Sequence, residues 1–306
     1  MEEIAQKCPT ATIFVSTANS LSSVPILLFG TEEQKQKFLP RIVEGDYIAF
    51  GLTEPNAGSD AGSLRASAVK DGDDYILNGR KCFITGAPIA THTTIFAKTN
   101  PDKEVHGISA FIVDMSLPGV SCGKPEKKMG QKGVPVSDII LEDVRVPKSC
   151  MLGEENKGFT NAMKTLNYGR VGVAAMSVGM AAEALTLAVN YTKERVQFGK
   201  PLARQQALRF MMADMQTKLS AARLLVYDAA YRMDQGQDAT ACTLMAKYAC
   251  AEVAQWIINK SLQLHGGYGY SREYEIERLY RDIRINNIYE GSSQVQQIII
   301  SNQLLK

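Results

Sequence analysis

Residues 49–60 form the densest group of side chains suited to ligand binding. They read Ala-Phe-Gly-Leu-Thr-Glu-Pro-Asn-Ala-Gly-Ser-Asp, and they lie where a predicted strand runs into a loop that contains glycine and proline. Such a loop turns backbone amides and hydroxyls outward, where a planar polar ligand can meet them. A hairpin loop with an Asx turn explains the same residues, and local chemistry alone favours that simpler interpretation.

A second candidate is the segment Cys-Phe-Ile-Thr-Gly at residues 82–86. Side chains two apart on a strand lie on one face, so Phe83 and Thr85 are predicted to point the same way. An aromatic ring there could stack on a flat ligand while the hydroxyl donates to the ligand's edge. The filled interior of a small β-barrel would place the same residues equally well.

Glu290 is the candidate for acid–base chemistry. It lies between Tyr289 and Gly291, shortly before the apolar run 298–300. A carboxylate in a dry pocket has a raised pKa and becomes a competent proton acceptor near neutral pH. Local sequence alone favours another interpretation, in which a glutamate near a helix N-terminus is stabilised by the helix dipole.

The composition excludes several classes of protein. A net charge of +2 is too balanced to indicate nucleic acid or an anionic membrane as a partner. No uninterrupted apolar run approaches the ~20 residues of a membrane span, and the N-terminus lacks the pattern of a signal peptide. Six scattered cysteines and three histidines predict reduced thiols and no metal site.

Residue patterns divide the chain into three predicted domains: a partial N-terminal helical domain at 1–45, a β-domain at 46–150 and a helical bundle at 151–306. In the first, Thr31 before an acidic turn predicts a helix start. In the second, short β-branched and aromatic runs alternate with turn clusters, which predicts an antiparallel sheet or barrel. In the third, helices are predicted at about 159–194, 204–235 and 239–265, with a final pair after Ser271 and Ser292. A leucine and methionine stripe between Leu208 and Ala222 predicts core packing.

Taken in order, five groups of motifs resemble those of the acyl-CoA dehydrogenase family. Each motif is moderately specific, and the ordered set covers essentially the whole chain. The resemblance implies an α+β fold with a partial N-terminal helical region, a central antiparallel β-barrel or sheet and a C-terminal four-helix bundle. The motifs are Thr53-Glu54-Pro55 to Ser59-Asp60 with Phe83-Ile84-Thr85, Met129-Gly130 to Val146-Pro147, Arg195 to Pro201, Gln263 to Gly269, and Tyr289 to Gln294.

The resemblance implies FAD as the cofactor, in agreement with the lack of a GxGxxG dinucleotide motif in the sequence. In this family the adenine end is held partly by a neighbouring subunit. Without the resemblance, the glycines at 266–269 are most simply a helix C-cap and turn, and Arg195 a solvated charge. The implied contacts are Phe50, Leu52, Thr53, Ser59, Phe83, Ile84 and Thr85 around the isoalloxazine ring, with Thr85 at its N5 edge; Arg195, Phe198, Gln206, Gln263, Leu264, His265, Gly266 and Gly267 at the adenine end; and Ser292, Ser293 and Gln294 on the pyrophosphate side.

The resemblance also implies the reaction. Glu290 would abstract the α-proton of a short- or medium-chain acyl-CoA while the β-hydride leaves to flavin N5, which gives the trans-2-enoyl-CoA. The Glu290 amide and an FAD ribityl hydroxyl would bond the thioester oxygen. Gly169 stands where other branches of the family carry the base, which favours the short- and medium-chain branch. The implied substrate-binding residues are Ser59, Asn167, Arg170, Tyr289 and Gly291.

The implied partners are electron-transferring flavoprotein and three further copies of the chain, arranged as a dimer of dimers. The implied location is the bacterial cytoplasm or the mitochondrial matrix, and the implied pathway is fatty-acid β-oxidation. Three features depart from the family pattern: Phe83 replaces a common tryptophan, Asn167 a common aspartate, and the region before the β-domain is short. The last suggests a truncated gene product or a shortened paralogue. The alternatives are therefore an enoyl-CoA reductase or oxidase of the same family, and a flavin-binding paralogue without activity.

Overall fold

The computed structural model describes residues 1–305 and divides into two compact units. The sheet unit comprises Phe14–Lys127 and Gly133–Gly169. The helical unit comprises Met1–Ile13, Lys128–Lys132 and the chain from Arg170 onward. A sheet flanked in sequence by helices confirms the predicted α+β class, whereas the three domain boundaries stay a prediction.

The first 43 residues are mostly helical, as the residue pattern predicts. Thr31 begins the last of these helices with a capping box: its hydroxyl accepts from the Gln34 amide, and the Gln34 side chain accepts from the Thr31 amide. Two of the orphan amides at the helix start are thereby satisfied. The elements are α1 (Glu2–Lys7), α2 (Pro9–Thr17), a π-helical turn (Ala18–Ser22), α3 (Ser23–Phe29) and α4 (Glu32–Val43).

One seven-stranded curled sheet forms the centre of the sheet unit. Its inward side chains alternate with outward ones and build a core that includes Tyr75, Ile95 and Phe111. The strands are β1 (Ile48–Gly51), β2 (Ser67–Asp71), β3 (Asp74–Thr85), β4 (His92–Lys98), β5 (Ile108–Asp114), β6 (Val120–Cys122) and β7 (Val136–Pro147). The sequence does not predict β2 and β6, because three of the five β2 residues are polar and β6 has only three residues.

The pairing corrects the expectation of a purely antiparallel sheet. Strands run in the order β1-β4-β2-β3-β7-β6, with β5 on β4. Most neighbours are antiparallel, but β4 lies parallel to β1, with Ile48 opposite His92, and to β2, with Ser67 opposite Lys98. The long β2–β3 hairpin separates β1 from β4 in sequence, so the chain can return in the same direction before β4 begins.

Long helices make up most of the helical unit, as predicted. Helix α5 (Gly158–Glu194) enters it at Arg170, and a short hairpin of β8 (Val196–Gln197) and β9 (Lys200–Pro201) follows. Helices α6 (Gln206–Asp234) and α7 (Thr240–His265) pack along each other, and α7 also contacts α8 (Ile276–Ile283) and α9 (Ser293–Leu304). Met215, Leu219 and Ala222 of the predicted stripe are buried.

Two helical stretches are long and apolar enough to cross a membrane by length and composition, Pro9–Phe29 and Gly158–Glu194. This differs from the expectation drawn from uninterrupted runs, since the test averages over a window. Of the two windows, 50% and 72% are buried inside the protein. Core helices are equally apolar because they bury most of their surface.

Candidate active site

Glu290 lies in the helical unit, in a tight turn just before α9. Its φ is +54° and that of Gly291 is +95°, so two successive residues adopt left-handed backbone conformations. For a non-glycine residue this conformation costs on the order of 1 kcal/mol and persists only where the surroundings enforce it. Ser292 then caps α9 by accepting a hydrogen bond from the Val295 amide.

Three buried side chains hold this turn by its carbonyl oxygens. Gln296 Nε2 donates to the carbonyls of Glu290 and Gly291 at 3.2 and 3.0 Å. Lys247 Nζ donates to the Gly291 carbonyl at 2.6 Å, and Arg170 Nε to that of Glu290 at 3.4 Å. These donors come from α9, α7 and α5, so tertiary packing fixes the strained backbone.

The Glu290 carboxyl is left without a hydrogen bond at one oxygen. Its Oε2 is buried and has no partner within residues 1–305. Burial raises the pKa of Glu290 to about 7, opposed by the positive charges of Arg170 and Lys247. Burial also lowers the pKa of Lys247 to about 8, opposed chiefly by Glu290. A carboxyl that titrates near neutrality is suited to exchanging a proton with a substrate.

In the sheet unit the structure brings the two candidate flavin segments together. The Cys82 amide donates to the Thr53 carbonyl at 2.9 Å. Fully buried Lys81 reaches the Leu52 carbonyl at 3.3 Å and Glu54 Oε1 at 2.7 Å. Residues 52–54 and 81–82 are therefore joined by main-chain and buried side-chain contacts.

Phe83 lies on a bulge in β3 where the register against β7 shifts between Lys81 and Ile84. Its φ is +56° and 67% of its surface is exposed, while Ile84 beside it is 2% exposed and packs in the core. The bulge therefore turns an aromatic ring out of the sheet. The Ile84 side chain lies in the core and is not available to a ligand.

The other predicted isoalloxazine contacts divide between the core and the surface. Phe50 is half-buried and packs on Phe96 at a centroid distance of 4.9 Å, and Leu52 is buried. Thr53 and Thr85 are half-buried, and Ser59 is exposed. None of the hydrogen bonds within residues 1–305 uses the hydroxyls of the two threonines, so both are available to a ligand.

A pocket of about 640 Å³ in the helical unit gathers most of the predicted adenine-end residues. His265 stacks on Tyr191 at 4.4 Å, and the Arg195 guanidinium lies 5.5 Å from the Tyr268 ring. Gly266 ends α7 with φ +59°, and an added Cβ there or at Gly267 would meet no atom within 4 Å. The lining residues are Tyr191, Arg195, Gln197, Leu202, Leu208, Met211, Gln263, Leu264, His265, Gly266, Gly267 and Tyr268.

Several of these lining residues are missing from the sequence prediction. Leu208 and Met211 belong to the stripe expected in the core, but they line the pocket instead. Tyr191 and Tyr268 supply ring surfaces to the pocket. The sequence could have indicated both, because Tyr191 lies four residues before Arg195 and Tyr268 lies within the glycine run 266–269. Stacked rings, a guanidinium and an apolar wall suit a flat heterocycle joined to an anionic group.

The remaining predicted residues lie as follows. Two residues predicted at the adenine end, Phe198 and Gln206, do not line the pocket. Phe198 is 95% exposed with a φ of +53°, and Gln206 is also exposed. The Ser293 hydroxyl donates to Glu252 at 2.6 Å, while Gln294 is exposed. Tyr289 is half-buried and donates to Asn286 Oδ1 at 3.1 Å; burial raises its pKa well above the ordinary value. Asn167 is half-buried on α5.

Profiles of three protein families match consecutive parts of the chain. The acyl-CoA dehydrogenase N-terminal domain matches residues 1–46, the middle domain residues 49–144 and the C-terminal domain residues 156–305. The three matches follow each other along the chain in the same order as the family motifs.

Relatives and solved structures cover the whole chain. A "3-(aryl)acrylate reductase" of Clostridium sporogenes and a "Caffeyl-CoA reductase-Etf complex subunit CarC" of Acetobacterium woodii are each 56% identical over 307 residues, with 100% of this chain and 81% of the relative covered. The structure of butyryl-CoA dehydrogenase from Megasphaera elsdenii has a TM-score of 0.98 at 46% identity, with 100% of this chain and 80% of that chain covered.

Proposed function

Because the chain belongs to the acyl-CoA dehydrogenase family, we propose that it interconverts an acyl-CoA and its trans-2-enoyl-CoA with Glu290 as the acid–base group. The family assignment makes the protein a flavin-dependent oxidoreductase. The observation that carries the residue assignment is the buried, unpartnered Oε2 of Glu290 on a strained turn, with a pKa raised to about 7. In the oxidative direction the ionised carboxylate takes the α-proton, and in the reductive direction the carboxylic acid returns it.

The residues present fit the proposed cofactor, FAD. Exposed Phe83 and the available hydroxyls of Thr53 and Thr85 suit the ring system, while the pocket around His265 and Arg195 suits the adenine and phosphate end. Bound FAD would supply the hydride acceptor at its N5. The protein's own part is to orient the thioester, to exclude water and to hold the α-proton at the Glu290 carboxyl.

We infer a substrate-holding role for Ser59, Asn167, Arg170, Tyr289 and Gly291 from the family likeness. Arg170 donates to the Glu290 carbonyl, and the Gly291 carbonyl accepts from Lys247. Both residues therefore help to fix the position of the proposed base. The substrate is proposed to be a short- or medium-chain acyl-CoA. Electron-transferring flavoprotein is the proposed electron partner, and the word "Etf" in the name of a 56%-identical relative supports it.

Reduction of an enoyl-CoA, including one with an aryl side chain, is the second candidate for the physiological direction. It is favoured by one specific observation: the two reductases are 56% identical to this chain, compared with 46% for the butyryl-CoA dehydrogenase. The same groups serve both directions, because the acid that returns a proton is the conjugate of the base that removes it. The preferred direction is set by flavin potential and by the electron partner.

The test is anaerobic mixing of purified, flavin-loaded protein with butyryl-CoA while the absorption band of the oxidised flavin is followed. Bleaching in the parent and its loss in Glu290→Gln are expected. A parallel experiment mixes dithionite-reduced protein with crotonyl-CoA or cinnamoyl-CoA and follows the return of the band. Faster reoxidation by cinnamoyl-CoA would favour the aryl reductase. A flavin spectrum that none of the three thioesters perturbs would contradict the proposed function.

A further inference from the structure

Lys247 is a fully buried cation that the proposed reaction does not employ. It lies on α7 with none of its surface exposed, and it donates a 2.6 Å hydrogen bond to the Gly291 carbonyl, one residue beyond Glu290. A buried ammonium loses several kcal/mol of hydration unless nearby groups compensate it. A single backbone carbonyl compensates a full charge only weakly, so the Lys247 ammonium requires further stabilisation from nearby groups.

The surroundings of Lys247 supply the missing compensation electrostatically. Glu290 is the strongest influence that favours its charged form, Arg170 on α5 opposes that form, and Glu252 on the same helix favours it. Glu252 itself accepts hydrogen bonds from Ser293 and Asn287, so it binds the chain on both sides of the Glu290 turn. Tyr289 is a further titratable neighbour of the Glu290 carboxyl.

We propose that Lys247 is a positioning residue for Glu290, which fixes the turn through the Gly291 carbonyl and stabilises the ionised carboxylate by its charge. This inference rests on the proposed role of Glu290. The two effects act together, since a turn at φ +54° and +95° aims the carboxyl only while its carbonyls remain anchored. Gln296 donates to the carbonyls of both Glu290 and Gly291 but brings no charge, and Arg170 donates to that of Glu290.

The charge of Lys247 acts in a known direction. A nearby cation favours the carboxylate, so its removal raises the pKa of Glu290 further. Lys247 itself has its pKa lowered to about 8 by burial. Loss of its proton above that value removes the same support, and the two groups therefore titrate as a coupled pair.

The experiment measures Glu290 directly and without substrate. Holoprotein labelled with [5-¹³C]glutamate is titrated by NMR, and the Glu290 signal is assigned by its absence in Glu290→Gln. Lys247→Met is expected to raise the Glu290 midpoint by about one pH unit, while Lys247→Arg keeps it near that of the parent. Lys260→Met removes a charge from the same helix at a residue that contacts Trp256, and it is the matched control.

An unchanged midpoint in Lys247→Met would overturn the inference, as would an equal rise in Lys260→Met. If Lys247→Met fails to fold, Lys247→Gln takes its place as the uncharged variant, with the same expected rise. The pH profile of flavin bleaching by butyryl-CoA should move upward by the same amount in the uncharged variant. The NMR titration needs no turnover, so it tests the role of Lys247 independently of the reaction. The proposed reaction itself is tested by flavin bleaching in the parent protein.

Discussion

The sheet unit and the helical unit each bury a lysine near a glutamate, with different results. In the sheet unit Lys81 meets Glu54 at 2.7 Å, and Glu54 also accepts from the amides of Arg65 and Ala66 at 2.6 and 2.9 Å. In the helical unit Lys247 bonds a carbonyl instead, and Glu290 keeps a buried oxygen without a hydrogen bond. The first arrangement gives both carboxylate oxygens a donor, and the second leaves one carboxyl oxygen without one.

Hydrogen-bond donors, and not burial alone, distinguish the structural ion pair of Glu54 from the candidate acid–base group Glu290. Both lysines are fully buried, and burial lowers the pKa of each. The Glu54 carboxylate has three donors that compensate its loss of hydration. A carboxyl with a desolvated, unbonded oxygen resists ionisation, which brings its pKa into the range where it can exchange protons.

The largest effect is expected from Glu290→Gln, which removes the proposed proton acceptor. The rate of flavin bleaching by butyryl-CoA should fall by about 10²- to 10⁴-fold, the usual contribution of a general base. Stopped-flow absorbance measures it. Exposed Glu273→Gln in the same unit is the matched control and should keep the parent rate. Equal rates in the Glu290 variant and the parent would contradict the assignment.

Breaking the structural pair should chiefly affect stability. Lys81→Met leaves Glu54 buried and partly unpaired, and we expect the free energy of unfolding to fall by about 3–5 kcal/mol. Urea denaturation measures this, with exposed Lys70→Met on β2 as the control. The pairing also predicts that Glu54→Leu together with Lys81→Met recovers part of the loss. A fall below ~1 kcal/mol would mean that the pair is not structurally important.

The raised pKa of Glu290 predicts a specific pH dependence of stability. Its folded pKa of about 7 exceeds the unfolded value, so its stabilising contribution is full below the unfolded pKa and is lost as pH rises to about 7. The parent should lose up to about 3 kcal/mol of unfolding free energy between pH 4.5 and 7.5 relative to Glu290→Gln. Denaturation curves at several pH values measure the difference. Parallel curves for the two proteins would contradict it.

The same titration predicts opposite pH profiles for the two directions of the reaction. Oxidation needs the carboxylate, so bleaching by butyryl-CoA should increase as pH rises through about 7. Reduction needs the carboxylic acid, so reoxidation by crotonyl-CoA should decrease over the same range. Two profiles that rise together would show that another group limits both steps.

The smallest effect is expected from the turn itself. A Cβ at Gly291 would lie 2.5 Å from Gln296 Nε2, and the φ of +95° is unfavourable for alanine. Gly291→Ala should therefore lower the unfolding free energy by about 1–3 kcal/mol. Gly58→Ala, where a Cβ meets no atom within 4 Å and φ is not positive, should be nearly neutral. Calorimetry compares the two, and equal Tm values would mean that the turn is not strained.

Much of the fold was predictable because periodicity and caps are local properties. The predicted helix at 159–194 is α5 (Gly158–Glu194), and Thr31 is the N-cap expected for α4. Helix α9 follows Ser292 directly as predicted, whereas α8 begins only at Ile276, five residues after Ser271. The parallel pairing of β1 with β4 was not predictable, since it depends on where the chain returns after the β2–β3 hairpin. Leu208 and Met211 were misplaced because an apolar stripe has the same pattern against a core and against a pocket.

The sequence by itself determined the family, the motif order and the identity of Glu290 as a candidate, because those depend on residue types at fixed spacings. Only the tertiary structure decided that Lys81 and Cys82 join the two candidate flavin segments, and that Lys247, Arg170 and Gln296 converge on the turn of Glu290. The physical reason is that desolvation and backbone strain are not properties of a residue. They arise when elements distant in sequence pack around it, and that packing raises the pKa of Glu290 to about 7.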